Sequence, residues 1–260
     1  MLKILKYSLF DLIRSRWLII YTLFFLIAGY VILYLGSDIS KAIASLMNLI
    51  LILTPLIGTL FGVINYYNSR EFIELLLAQP IRRRAIFLGM YLGFSISLSL
   101  AFLFGIGIPF LSYGLWYSGE ISNFLSLVVV GIFLTFIFSA FAFLIAVYNE
   151  NRLKGFGISI LFWLFMAFVY DGIFFISLIL FEEYPVEKLA IVLSTLNPID
   201  LSRTLVMLKL DISALMGYTG AVFRKFFGTS MGMILSYGAL VTWSVVPVLW
   251  IINKSRNKDF

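Results

Sequence analysis

The chain has 260 residues, enough for one or two soluble domains, but 62% of it is hydrophobic and only 12% charged, with a mean hydropathy of +1.05. An ordinary globular domain holds about 45–50% apolar and about 25% charged residues, so lipid must be the solvent for most of this chain, and a soluble, disordered or nucleic-acid-binding protein is excluded. With no cysteine and no histidine there are no disulfides, thiolate metal sites or imidazole acid–base chemistry, and none of the 19 glycines precedes a lysine, so there is no P-loop for ATP.

Residues 1–16 place Leu2, Leu5, Leu9, Leu12 and Ile13 along one helical face, with Lys3, Asp11 and Arg14 elsewhere. That is the pattern of a helix lying on the membrane surface, or of a plain basic anchor before the first span. Uncharged runs follow at 17–37 and 42–69, each longer than the roughly 20 residues a helix needs to cross the hydrocarbon. Between the second and third spans lies REFIELLLAQPIRRR over 70–84. Glu71, Glu74, Leu75 and Leu76 fall on helical spacing, and Pro80 ends the turn before Arg82, Arg83 and Arg84. Such a segment either docks on a partner protein or sets topology with its arginines while its leucines dip into the interface.

The next run, 85–119, is too long for one straight span, and Gly105, Gly107 and Pro109 are expected to kink it or lay its end in the interface. Two more runs cover 121–149 and 155–181, the latter interrupted only by Asp171. A carboxylate within a span costs about 2.5–3.5 kcal/mol on insertion scales, so Asp171 either binds helices together by hydrogen bonds or serves a gate or substrate path. An intramembrane aspartyl protease is set aside, because that chemistry needs a second membrane carboxylate. Residues 182–228 form a long loop in which Asn197, Pro198 and Asp200 signal a helix start, and Asp211 and Thr219 offer two further caps. Leu201, Leu205, Val206 and Leu208 suggest an apolar face resting on the membrane or a partner. A last run occupies 226–253.

Backbone hydrogen bonds must close within each segment in lipid, and the runs are continuous rather than alternating, so they read as six helices and not a barrel. The fold class is an all-α polytopic membrane protein, one transmembrane domain over 1–260. It has an N-terminal interfacial helix, a short cytoplasmic helix between spans 2 and 3, and a helical extracytoplasmic loop between spans 5 and 6. Of the 19 basic residues, thirteen fall on the side of the termini (Lys3, Lys6, Arg14, Arg16, Arg70, Arg82, Arg83, Arg84, Arg152, Lys154, Lys254, Arg256, Lys258). That asymmetry places both termini in the cytoplasm. No cleavable signal is expected, since the first run is of full span length. Met207, Met216, Met231 and Met233 are read as packing residues rather than metal ligands. The glycine pairs Gly58/Gly62, Gly89/Gly93 and Gly228/Gly232 permit close helix approach without identifying an interface.

SREFIELLLAQPIRRRAIFLGMYLG resembles the cytoplasmic loop of ABC-2-type transporter permeases, with its acidic helical turn, Leu-Leu-x-x-Pro stop and basic patch. NPIDLSRTLVMLKLDISALMGYTGAVF and VYDGIFF are similar to the outer loop and fifth span of permeases of the NosY type, which serve maturation of nitrous oxide reductase. This chain has Gly89-Met90 where that family often has Gly-Lys. The resemblance implies a non-catalytic homodimeric permease in the cytoplasmic (inner) membrane that binds no cofactor of its own. ATP and Mg would sit on two separate cytoplasmic ATPase subunits (NosF-like), coupled through Glu71, Glu74, Leu75, Leu76, Pro80, Arg82 and Arg83. A periplasmic β-helical protein (NosD-like) would meet Asn197, Pro198, Asp200, Gly217, Tyr218 and Gly220, in an energised step of copper-site maturation. A generic ABC-2 exporter of a lipid or drug-like molecule needs only the cytoplasmic loop; a membrane scaffold without transport needs neither.

Overall fold

Each long apolar run becomes a helix, because no other backbone arrangement satisfies its polar groups in lipid. The computed structural model describes residues 1–36, 38–181, 186–210 and 223–256. In chain order the helices are α1 (Leu2–Ile13), α2 (Arg16–Gly36), α3 (Ile39–Asn68), α4 (Arg70–Leu77), α5 (Arg83–Ser112) and α6 (Ile121–Tyr148). They continue with α7 (Arg152–Leu164), α8 (Tyr170–Leu180), α9 (Val186–Leu196), α10 (Pro198–Lys209) and α11 (Ser230–Arg256). A π turn, Phe165–Val169, joins α7 to α8 in one rod. Six helices are long and apolar enough to cross a membrane: α2, α3, α5, α6, the α7–α8 rod and α11. There is no strand among the described residues. Loops gather at two ends. The basic end carries α1, α4 and the starts of α5 and α7; the opposite end carries a 3-10 turn, Leu115–Tyr117, and the α9–α10 corner.

α6 is the hub, packing against α3, α5, α7, α10 and α11. Small residues make this possible. A Cβ on Gly62 would stand 2.6 Å from that of Ala142, so α3 and α6 approach closely there. Gly89 and Gly93 of α5 receive Ile4 and Ser8 of α1, where added Cβ atoms would lie 3.0 Å and 2.7 Å from those side chains. The third pair serves the turn into α11, since a Cβ on Gly232 would meet the carbonyl of Phe226.

α1 buries Ile4 and Ser8 on α5, with Leu5, Leu9 and Leu12 half-buried beside them and Leu2 and Ile13 exposed. The glycines of α5 admit this packing, and Ser97 Oγ adds a hydrogen bond to the Leu9 carbonyl at 3.4 Å. α5 runs as one helix to Ser112; Gly105 admits Phe25 of α2, and Pro109 sits so near the end that few ladder bonds are lost. The surplus of the 85–119 run is absorbed after Ser112, where Gly114 takes φ 91° ahead of the 3-10 turn. Finally, Leu201, Leu205 and Val206 do not rest on lipid or a partner: they are buried in the chain's own core, where α10 packs on α6 and α3.

Candidate functional site

At the basic end, Ser69 alone separates Asn68 of α3 from Arg70 of α4, so α4 is a rigid outrigger on a span. Arg70 Nε donates to Glu74 Oε1 at 3.0 Å, an exposed one-turn pair. Ile73 and Leu76 face the core, and Phe72 stacks on Tyr7 of α1 with ring centroids 4.8 Å apart. The outward face holds Glu71, Glu74 and Leu75, the last 67% exposed. Pro80, Arg82 and Arg83 follow on the surface, and Arg82 and Arg83 line an open depression of about 950 Å³ with Arg84 and Met1. Of the seven residues expected to meet an ATPase, six are presented together; Leu76 is turned into the core.

At the opposite end the chain folds back on itself. α9 and α10 meet at 116° on either side of Asn197. Asn197 caps α10 as its sequence predicts, with Oδ1 accepting from the Ile199 amide at 3.0 Å, Pro198 in the first position and Asp200 in the first turn. Its Nδ2 donates to Asp200 Oδ2 at 3.2 Å and to the Met166 carbonyl at 2.8 Å. Met166 lies in the π turn, whose widened ladder leaves room for such an outside donor. Arg203 Nη1 donates to Asp171 Oδ2 of α8 and to Asp200 Oδ1, both at 3.1 Å. Tyr170 Oη donates to the Leu193 carbonyl at 2.7 Å, and Trp243 Nε1 of α11 donates to that of Thr195 at 3.1 Å. The corner is thus clasped to span 5 by Asn197, Arg203 and Tyr170, and to α11 by Trp243.

The charges do not balance if both acids ionise: two carboxylates share one guanidinium. Burial, followed by hydrogen bonding to and repulsion from Asp171, raises the Asp200 pKa, against the opposing pull of Arg203 and Asn197. Asp200 is thus a carboxyl whose charged form is disfavoured, although it too accepts from Arg203.

Asn197, Pro198 and Asp200 are buried in this clasp rather than displayed on an outer surface. Gly217, Tyr218 and Gly220, with Asp211, Met216 and Thr219, lie outside the described residues. Asp171 is not a lone carboxylate, and Asp200 is the second acid that the sequence did not place beside it. The Arg203 guanidinium bridges them, 3.1 Å from each, so the three side chains form one network. Arg203 was missed. Its signal was its place on the Asn197–Asp200–Arg203 stripe, a cation on a helix that otherwise buries Leu201, Leu205 and Val206. No group of three or more Asp or Glu side chains converges on a metal position among the described residues.

The profile of a family described as "ABC-2 family transporter protein" matches residues 38–252, from α3 through most of α11. The chain is 29% identical over 266 residues to "Probable ABC transporter permease protein NosY" of Stutzerimonas stutzeri, covering 95% of this chain and 90% of that protein. It is 27% identical over 231 residues to a protein of the same name from Pseudomonas aeruginosa, covering 81% and 82%.

Proposed function

The chain belongs to the ABC-2 transporter family, and we propose that within it the protein is a NosY-type permease, serving copper-site maturation of nitrous oxide reductase. As an ABC-2 permease it is a multi-pass membrane subunit without an ATPase domain of its own, and it works with partner ATPase subunits. In the proposed arrangement two copies sit in the inner membrane with both termini cytoplasmic. ATPase subunits (NosF-like), holding ATP and Mg, engage Glu71, Glu74, Leu75, Pro80, Arg82 and Arg83. A β-helical periplasmic protein (NosD-like) is served from the opposite end.

One observation carries the NosY-type reading. The two segments whose sequences resemble that family, VYDGIFF and NPIDLSRTL, are the two that meet in the clasp, through Arg203–Asp171 at 3.1 Å. A generic exporter needs no such pairing. Closure of the ATPases would press on α4, move α3 together with α6, and so act on the α10 corner that both helices carry. The test is deletion of the gene in its own host, followed by measurement of copper in purified nitrous oxide reductase. Copper should be lost, restored by the wild-type chain, and not restored by Leu75→Asp. A fully copper-loaded reductase in the deletion strain would refute the role.

A further inference from the structure

A cleft of about 330 Å³ opens at the basic end where the α1–α2 corner meets α3, α5 and the start of α7. Its walls are graded. Phe61, Phe94, Leu98, Leu12 and Leu18 line the apolar part, and Trp17 packs over Phe61 with ring centroids 5.7 Å apart. Ser15, Asn65, Asn68 and Arg152 form the polar rim, at the corner, the end of α3 and the start of α7. A second furrow of about 260 Å³ lies across Ile64, lined by Val63, Tyr67, Leu153 and Phe156, and it shares Arg152 and Ile64 with the first. Gly155 permits this geometry, since a Cβ there would collide with the Tyr67 ring. Two apolar furrows therefore leave one guanidinium on either side of a single residue.

Arg152 is exposed, and its guanidinium has no hydrogen-bond or ion-pair partner among the described residues; the nearby Glu150 makes no ion pair with it. The side-chain amides of Asn65 and Asn68 are likewise without partners among the described residues. In most proteins an unpaired arginine at a membrane surface simply faces water. Here it stands at the head of two largely apolar furrows, with two amides beside it. The guanidinium fork matches phosphate oxygens, and basic pockets between helices at the membrane face hold anionic head groups. We propose that this cleft binds one anionic diacyl phospholipid, its phosphate on Arg152, Asn65 and Asn68 and one acyl chain in each furrow. The two chains account for the two furrows, which a soluble phosphate or a single-chain amphiphile does not. A lipid seated there wedges α1–α2, α3 and α7 apart at the basic end, so its occupancy bears on how α3 moves. The proposal does not depend on the role in reductase maturation.

The full chain, purified with its ATPase subunits in detergent and stripped of lipid, is titrated with dioleoylphosphatidylglycerol or dioleoylphosphatidylcholine and followed by native mass spectrometry. Phosphatidylglycerol should bind with one tight equivalent per chain and about fivefold to tenfold preference, the scale of one arginine–lipid contact. Arg152→Gln should erase the preference, Lys154→Gln should keep it, and Ile64→Ser should weaken binding of both lipids. Glycerol phosphate alone should not compete. Equal binding of the two lipids by the wild-type chain overturns the proposal, as does an unchanged Arg152→Gln or Ile64→Ser variant. An equal loss in Lys154→Gln would assign the effect to diffuse surface charge, and competition by glycerol phosphate to a soluble anion; either result also overturns it.

Discussion

Replacing Arg203 with methionine preserves most of the side-chain length and removes the cation, leaving Asp171 and Asp200 facing each other without it. Breaking a fully buried ion pair from one side costs about 3–5 kcal/mol, whereas an exposed pair is worth about 0–1 kcal/mol. The side chains of Arg203, Asp171 and Asp200 are 26%, 26% and 11% exposed, nearer the buried limit. Asp200 can relieve part of the repulsion by taking up a proton. The expected loss is therefore about 2 kcal/mol, or a fall in melting midpoint of about 5 °C for a chain of this size. Adding Asp171→Asn to Arg203→Met removes one stranded charge and should recover at least half of the loss, because residues in one network couple. Lys209→Met, on an exposed position of the same helix, should change stability by no more than about 0.5 kcal/mol. All four proteins are compared by tryptophan-fluorescence melting in one detergent. An Arg203→Met protein that melts like Lys209→Met, or a double variant that melts no higher than Arg203→Met, would refute the charge-balance account.

Leu75→Asp should leave folding intact and abolish co-purification of the ATPase, whereas Leu76→Asp should destabilise the protein itself; the reverse pattern in melting and pull-down would move the docking face. Charge reversal at Glu71 and Glu74 should act more weakly, since an exposed ion pair contributes only about 0–1 kcal/mol. For topology, a cysteine at Tyr117, which is 96% exposed, should react in intact cells with a membrane-impermeant maleimide, and one at the exposed Gln79 should not; labelling of Gln79 alone would invert the orientation. Ser202 is no reporter, because it is fully buried. With the Asp200 pKa raised, the folded chain keeps a proton that the unfolded chain releases above about pH 3.9. Stability then falls as pH rises toward the folded value. The wild-type protein should melt lower near about pH 8 than near about pH 5, and Asp200→Asn should flatten that difference; an unchanged slope would place the proton elsewhere.

Span count and span type were legible because lipid imposes a length and a composition on each helix independently of its neighbours. The Asn197-Pro198 start was legible for a related reason: a cap is decided within three residues. What was not legible depends on pairs far apart in sequence. Asp171 and Arg203 are separated by 32 positions and by a turn of direction at Asn197, so neither residue announces the other. The contact of α1 with α5 was not legible, because leucines mark only apolarity. Which side of that helix is buried is set by Gly89 and Gly93 of α5, which accept Ile4 and Ser8. Leu75 and Leu76 are neighbours of identical chemistry, and only the placement of α4 beneath α3 separates an exposed leucine from a buried one.

The distance between the two ends is bridged by rigid elements rather than by flexible segments. α4 follows α3 after a single residue, and Tyr67 near that joint donates to the Asn149 carbonyl at 2.7 Å, tying it to the α6–α7 turn. α3 runs 30 residues without interruption, with Gly58 and Gly62 laid against Phe138, Ser139 and Ala142 of α6. α10 rests on both of these helices, and its polar stripe grips the π turn and Asp171 of span 5. A displacement of α4 is therefore delivered to α10 through packed backbone, where close-packed interiors transmit strain instead of absorbing it. Span 5 is the least embedded of the six, with 6% of its apolar window buried within the chain against 67% for α6. Its hold on the clasp is mostly polar: Arg203 on Asp171, Asn197 on the Met166 carbonyl and Tyr170 on the Leu193 carbonyl. Polar contacts of this kind exchange one partner for another at small net cost, while the apolar seam between α3 and α6 does not. If α4 is driven as proposed, relative movement between the two ends is expected at the clasp, between span 5 and the α9–α10 corner, and not within the α3–α6 core.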